Sequence, residues 1–399
     1  MFVAATRRRN PALVSAAARL HAAGRVPAGS YVVDLDTVAA NARLVSDAAR
    51  QLGLTCWQMT KQFGRNPLVA QAVAANGVDG VVAVEVAEAR VLHAHGLRIG
   101  HIGHLVQVPR GEISEALSFE PEHWTVFGAG QAAAVGAAAR AAGVVQQVLL
   151  RVVGPDDRFF EAQRGGVPLA DVLDAARAID AIDGVELAGV TTFPCVAWDE
   201  EAGDVAATPN LATIVAARDT LRAAGFAVPV SNAPGVTCVA TLGIVAGAGA
   251  THVEPGSALI GETPWHAIND ANERPAMVYV TEVTHELDGR VYTLGGGFYA
   301  RSRARSALVF GDGDPVEAPV VELPAAEIDY YGALQMPAGE RAAVGATVVY
   351  AFRAQAFVTR APVAVVTGIG GDDPQVLGIF SRDGSPLSIP RARPGGGAR

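Results

Sequence analysis

The sequence predicts an α/β fold, a (β/α)8 TIM-type barrel followed by a C-terminal all-β domain. Three observations predict it. Short apolar runs alternate with alanine-rich stretches of helical period in units of about 25 to 40 residues, the rhythm of βα repeats and a parallel sheet. Eight such units occur, the number that closes a barrel. Beyond about residue 270 the pattern changes to strand-like runs joined by Gly, Pro and Asp turns without intervening helices.

The barrel strands are expected at 56–60, 80–84, 98–102, 124–127, 147–153, 185–191, 228–232 and 251–254, with helices such as 130–142 and 208–224 between them. The β-domain strands are expected at 277–284, 290–294, 307–310, 347–351, 356–358 and 363–367. Residues 1–30 read as an N-terminal helical segment, 31–270 as the barrel and 271–399 as the β-domain. Within that division the run 31–35 is expected to join the β-domain, because a helix at 38–51 separates it from the next strand.

Half the chain is hydrophobic and 18% is charged over 399 residues, which fits a large folded core. The net charge of −9 has the wrong sign for a phosphate-backbone binder, so nucleic acid is not an expected partner. Cys56, Cys195 and Cys238 lie far apart without a CxxC spacing, which fits reduced thiols in the cytoplasm. Arg7, Arg8 and Arg9 do not open an export signal, since Arg19, His21 and Arg25 interrupt the chain before any long apolar stretch. Residues 226–252 carry no Asp, Glu, Lys or Arg, yet Pro229, Asn232, Pro234 and Gly235 break a membrane-helix pattern, so no membrane span is expected.

Of the 31 basic residues, Lys61 alone is a lysine. Arginine stays protonated and cannot act as a nucleophilic amine, whereas a buried lysine loses its proton and condenses with an aldehyde. Lys61 falls one residue past the first expected strand, on the face where such barrels build their active sites. His101 and His104 follow the third strand, where an imidazole can line the mouth or carry a proton near neutral pH; one of the pair also reads as structural.

The opening Tyr-Val-Val-Asp-Leu-Asp with Asn41 after it, then Met59-Thr60-Lys61, resembles the fold-type III pyridoxal-phosphate enzymes of the alanine racemase and ornithine decarboxylase superfamily. The strings at 60–67, 100–107 and 231–235 are most similar to its YhfX-type branch. The resemblance covers most of the chain and implies pyridoxal 5'-phosphate as cofactor, Lys61 as the lysine that binds it, and a homodimer whose β-domains complete the partners' active sites. At the end of the eighth strand alanine racemases carry an arginine and decarboxylase-like members a glutamate, and here stands Glu254 before Pro255-Gly256. A carboxylate beside the pyridine nitrogen keeps it protonated and makes it a strong electron sink.

Phosphate is expected against Gly256 and Ser257, with Asn232 and Gly235 one strand earlier, because glycine turns and helix N-termini expose backbone amides. Where alanine racemases have a tyrosine four residues after the lysine, Arg65 stands and can bind phosphate. Arg151 and Arg164, in segments similar to the one that carries an arginine near the cofactor's phenolic oxygen, join His104 as expected cofactor contacts. Cys195 reads as packing.

Departures from the pattern bear on the reaction. The partner tyrosine of alanine racemases falls at Gly295 or Gly296, with Tyr299 close by, and Tyr330 and Tyr331 are further proton-donor candidates. No cysteine follows Cys238, so the decarboxylase acid is missing, and residues 350–357 lack the His-x-Cys pair that holds metal in the D-serine dehydratase and D-threonine aldolase branch. No metal is therefore expected. Arg301, Arg303 and Arg353 are candidates for a substrate carboxylate. The expectation is an amino-acid racemase or epimerase acting at the α-carbon, with Tyr299 as second acid/base. A decarboxylase or lyase of the same fold is the alternative, and a non-catalytic cofactor-binding protein comes third.

Overall fold

The computed structural model describes residues 1–78, 80–299, 302–322, 324 and 326–388. The chain divides into two compact units, one holding residues 42–60 and 70–258, the other holding 1–41, 61–69 and the chain from 259 onward.

In the first unit eight parallel strands close a barrel: Thr55–Met59, Gly80–Val82, Arg98–Ile102, His123–Val126, Gln146–Val153, Val185–Thr191, Val230–Asn232 and His252–Val253. Closure runs through His252 against Thr55 and Val253 against Cys56. The expected strands coincide with these, their ends displaced by one or two residues. Pro229, which has no N–H to give a ladder, explains the late start of the seventh. A hairpin of Val196–Asp199 with Asp204–Ala207, not anticipated from the sequence, follows the sixth strand.

Barrel interiors of this type are usually filled by branched aliphatics. Here Trp57 fills the centre with its ring 4.4 Å from His252 and 5.2 Å from both His101 and His123. The neighbouring strands make room with glycine. A Cβ at Gly80 or Gly100 would stand 2.3 or 2.4 Å from Trp57 Cδ1.

In the second unit six antiparallel strands close on themselves in the order Met277–Leu287, Arg290–Leu294, Tyr331–Gln335, Val316–Val321, Ser306–Val309 and Thr347–Tyr350. Ser30–Asp34 adds to Met277–Leu287 antiparallel and to Val363–Thr367 parallel, and Gln375–Phe380 completes that extension. The strand expected at 31–35 thus joins the β-domain, and a barrel boundary at residue 31 would cut through this sheet. Residues 356–358, expected as a strand, instead form a 3₁₀ turn, in which Thr359 N donates to Ala356 O at 3.1 Å.

The expected N-terminal helical segment is a pair, Phe2–Arg9 and Pro11–Ala22, the second capped by Asn10 accepting from Leu13 N at 3.3 Å, with Pro11 in its first turn. Phe2, Leu13 and Leu20 pack on Val278, Val280, Leu308 and Val349 of the sheet. Each fully buried leucine contributes roughly 1.5–3 kcal/mol. Among the described residues no helix is long and apolar enough to cross a membrane.

Candidate active site

The barrel unit concentrates its polar chemistry at the C-terminal ends of its strands. Glu254, directly after the eighth strand, is buried, and its Oε1 accepts from His101 Nδ1 and from Asn232 Nδ2, both at 2.8 Å. Its Oε2 has His104 Nε2 at 3.9 Å. Burial pushes the Glu254 carboxyl up, but His104, His101 and Asn232 outweigh it and hold it down at about 2. A carboxylate taken out of water costs several kcal/mol unless such donors are in place, so this charge is built in deliberately by three strands.

Each partner is anchored in turn. His101 Nε2 meets Thr125 Oγ1 at 2.6 Å, and Asn232 Nδ2 also donates to Thr191 Oγ1 at 3.1 Å. Arg151, fully buried, donates to the carbonyls of His104 at 3.0 Å and Gln163 at 2.8 Å and lies 5.0 Å over the Phe127 ring. Among the described residues the buried Arg151 Nε, Thr192 Oγ1 and Asn232 Oδ1 have no hydrogen-bond partner. Their strands are neighbours in the barrel.

Other expected residues sit differently. Arg164 is exposed, paired with Glu161 at 3.0 Å and lying over Phe159, so no contact unites it with Arg151. Gly235 is explained by backbone packing, since a Cβ there would stand 2.4 Å from Val196 O, and Val236 N donates to that same oxygen at 2.9 Å. The Asn232 amide nitrogen is spent on Glu254 and Thr191, which leaves only its Oδ1 for a ligand. Gly256 and Ser257 open the turn after Pro255, Gly256 buried and Ser257 half-buried. Cys195 is buried, its thiol pushed up by burial, which fits packing.

His101, His104 and Glu254 can present one donor atom each within 4.8 Å of one another, the spread of a metal site. The 2.8 Å between His101 Nδ1 and Glu254 Oε1 is nevertheless a hydrogen-bond distance, and the other ring nitrogen is taken by Thr125.

Thr60 and Lys61 are consecutive. Within the barrel unit Thr60 Oγ1 donates to Glu88 Oε1, whose other oxygen accepts from Val84 N at 2.6 Å. Glu88 is fully buried and was not singled out in the sequence. A carboxylate in the first turn of an ordinary amphipathic helix carries no signal that it faces inward.

In the second unit Lys61 opens the 3₁₀ turn Lys61–Phe63, and Asn66 then caps helix Pro67–Ala74 by accepting from Leu68 N at 3.1 Å and Val69 N at 3.2 Å. Gly64 is left-handed at φ +67, and a Cβ there would press on Val363 and Ala356 at 3.3 and 3.4 Å. Arg65 also has positive φ, at +47, is buried and lies 5.9 Å over the Phe357 ring. A non-glycine residue held in that region is a marker of constraint. The turn that bears the lysine is thus seated on the Ala356–Val358 turn.

The glycines in the tyrosine's place have steric reasons. A Cβ at Gly295 would stand 2.1 Å from Asp329 O, and one at Gly296, whose φ is +109, would stand 3.1 Å from Arg360 Cγ. Asp329 accepts from Gly296 N at 2.9 Å and Phe298 N at 3.1 Å, and Arg360 locks Asp329 at 2.7 Å. This clamp carries Tyr299, whose phenol oxygen accepts from Arg353 Nη1 at 3.1 Å. Arg303 is exposed with φ +59, and Arg301 lies outside the described residues. Tyr330 and Tyr331 are exposed on the same domain.

Comparison with known proteins agrees with this architecture. Residues 33–264 match the model of the alanine racemase N-terminal domain, and residues 278–376 match that of the YhfX-like C-terminal domain. Protein YhfX of Escherichia coli strain K12 is 40% identical over 389 residues, covering 97% of this chain and 100% of that one. Among solved structures, D-threonine aldolase from Filomicrobium marinum superposes with TM-score 0.69 at 17% identity over 90% of this chain and 98% of that one. Alanine racemase of Clostridium difficile 630 in complex with cycloserine gives 0.62 at 16% over 90% and 99%. Diaminopimelate decarboxylase from Helicobacter pylori complexed with L-lysine gives 0.64 at 13% over 90% and 94%. At these identities the three share the fold, while the family matches reach further: the chain belongs to the fold-type III pyridoxal-phosphate enzymes, in their YhfX-type branch.

Proposed function

We propose that this protein is a cytoplasmic, homodimeric pyridoxal-phosphate enzyme that racemises or epimerises an amino acid or related amine at its α-carbon. The observation that carries the cofactor chemistry of this reading is Glu254, a carboxylate held anionic inside the barrel by His101 and Asn232. The orphaned Asn232 Oδ1, Thr192 Oγ1 and Arg151 Nε fit a polar group arriving from outside the chain. Bound pyridoxal phosphate supplies an aldehyde that captures amines and a pyridinium that withdraws electrons from the α-carbon.

The residues divide the remaining work. Lys61 binds the aldehyde and, once released, moves a proton at one face of the α-carbon. Glu254 holds the proton on the ring nitrogen. Arg151 and His104 face the ring, while Arg65, Gly256 and Ser257 bind the phosphate. Tyr299 gives a proton to the opposite face of the α-carbon, and the Arg353 guanidinium on its oxygen favours the phenolate it leaves behind. Arg303 and Arg353 attract the substrate carboxylate.

Decarboxylation or another lyase step is the second reading. Glu254 favours it, being the residue that decarboxylase-like relatives carry at this place. Incubating the purified protein with single amino acids in deuterated water separates the two. Inversion with deuterium at the α-carbon supports racemisation, release of carbon dioxide or an aldehyde supports the second reading, and no change in any amino acid or amine contradicts both.

A further inference from the structure

We propose that His101 is a positioning residue for Glu254, set by Thr125, and that the three form a one-way hydrogen-bond chain running toward the cofactor's ring nitrogen. The inference rests on the proposed cofactor reading and adds the two residues that fix the electronic state of its ring.

The direction of the chain follows from the hydroxyl. Thr125 is fully buried, and the only hydrogen-bond partner of its Oγ1 among the described residues is His101 Nε2 at 2.6 Å. If His101 carried protons on both nitrogens, the Thr125 hydroxyl hydrogen would be stranded in a dry interior, which is costly. The hydroxyl therefore donates to Nε2, the proton of the neutral imidazole sits on Nδ1, and Nδ1 donates to Glu254 Oε1 at 2.8 Å. Asn232 donates to the same oxygen at 2.8 Å. With Oε1 saturated, Oε2 has no hydrogen bond among the described residues and has His104 Nε2 at 3.9 Å.

The arrangement is built by barrel geometry. His101 and His123 are register partners on adjacent strands, and Thr125, two residues beyond His123, points to the same inner face. The imidazole thus lies between Thr125 on the next strand and Glu254 across the barrel.

The test reads protons directly. Histidine-labelled protein, with His101 assigned by its loss in His101→Gln, shows by long-range ¹H–¹⁵N NMR which ring nitrogen is protonated. Pyridoxal phosphate labelled at the ring nitrogen then reports the protonation of that nitrogen as pH is raised. The expected result is an Nδ1–H His101 in the cofactor-free protein and a ring nitrogen that keeps its proton in the wild type. In Thr125→Val the ring-nitrogen midpoint falls by about one unit, a tenfold loss of the protonated form, and Thr125→Ser restores it. A His101 protonated at Nε2, or the same midpoint in Thr125→Val as in the wild type, overturns the inference while leaving cofactor binding intact. Failure of the wild type to take up the labelled cofactor overturns the proposed function, and this role with it.

Discussion

Inside the (β/α)8 barrel lie a carboxylate, Glu254, and the imidazoles of His101, His123 and His252 around Trp57, with His104 against His101, whereas the β-domain holds Tyr31, Tyr279 and Tyr350 packed with Phe298 and Phe352. The barrel's polar atoms are tied mainly to one another, so their charge is fixed by the fold. Two of the β-domain's buried phenols are tied to backbone instead, Tyr279 donating to Leu294 O at 3.0 Å and Gly295 O at 2.8 Å, Tyr31 to Gly297 O, while the Tyr350 hydroxyl meets Thr293 Oγ1 at 2.9 Å. Burial pushes all three phenols up, and Tyr31 and Tyr279 are structural donors that shape the glycine segment. Tyr299, half-buried at the end of that segment and taking a hydrogen bond from a guanidinium, is a different kind of tyrosine. Under the proposed function this contrast assigns electronic control to the barrel and stereochemical control to the β-domain.

The largest expected effect comes from Lys61→Ala, which should abolish turnover; steady-state activity retained in that variant would break the scheme at its root. Next, Tyr299→Phe should cost on the order of 10²–10⁴-fold in inversion while α-proton exchange from one face continues, read by following chirality and deuterium together. Equal loss of both would assign Tyr299 to binding or folding. Glu254→Gln should lower turnover on the order of 10²-fold without releasing the cofactor, measured by kinetics beside a binding titration. If that variant turned over like the wild type, electronic control would not reside in the barrel.

Two smaller effects concern stability. Gly100→Ala should cost about 1–3 kcal/mol, read as a lower melting temperature, because the new methyl meets Trp57 Cδ1 at 2.4 Å. Acid should act through the barrel as well. Burial lowers His123 from 6.5 to about 3 and His252 from 6.5 to about 4, so below pH 6.5 the unfolded chain binds protons that the folded barrel refuses. Stability is fully present above pH 6.5 and falls by about 1.4 kcal/mol per pH unit for each imidazole until its folded value is reached. Glu254, lowered from 4.5 to about 2, adds to the loss below pH 4.5. Denaturant midpoints that do not change between pH 7 and 5 would contradict a neutral imidazole core.

Much of this was legible in the sequence because apolar runs between alanine-rich helices mark buried parallel strands, and all eight were placed by them. The β-domain was read less completely. Val316–Val321 contains Pro319, and Tyr331–Gln335 and Gln375–Phe380 contain Gly332 and Gly378, which dilute the strand signal. Residues 356–358 are apolar like a strand, but seat the turn that opens at Lys61. Lys61 and Glu254 stood out through type and local context. Thr125 and Glu88 could not, since nothing near them in the chain marks the partner that the fold brings from another strand.

The most direct test of the central claim is borohydride reduction of the purified protein incubated with pyridoxal phosphate, followed by peptide mass mapping. The account predicts a visible absorption band that reduction abolishes and a single pyridoxyl group on Lys61. No band, or a label anywhere but Lys61, would contradict it.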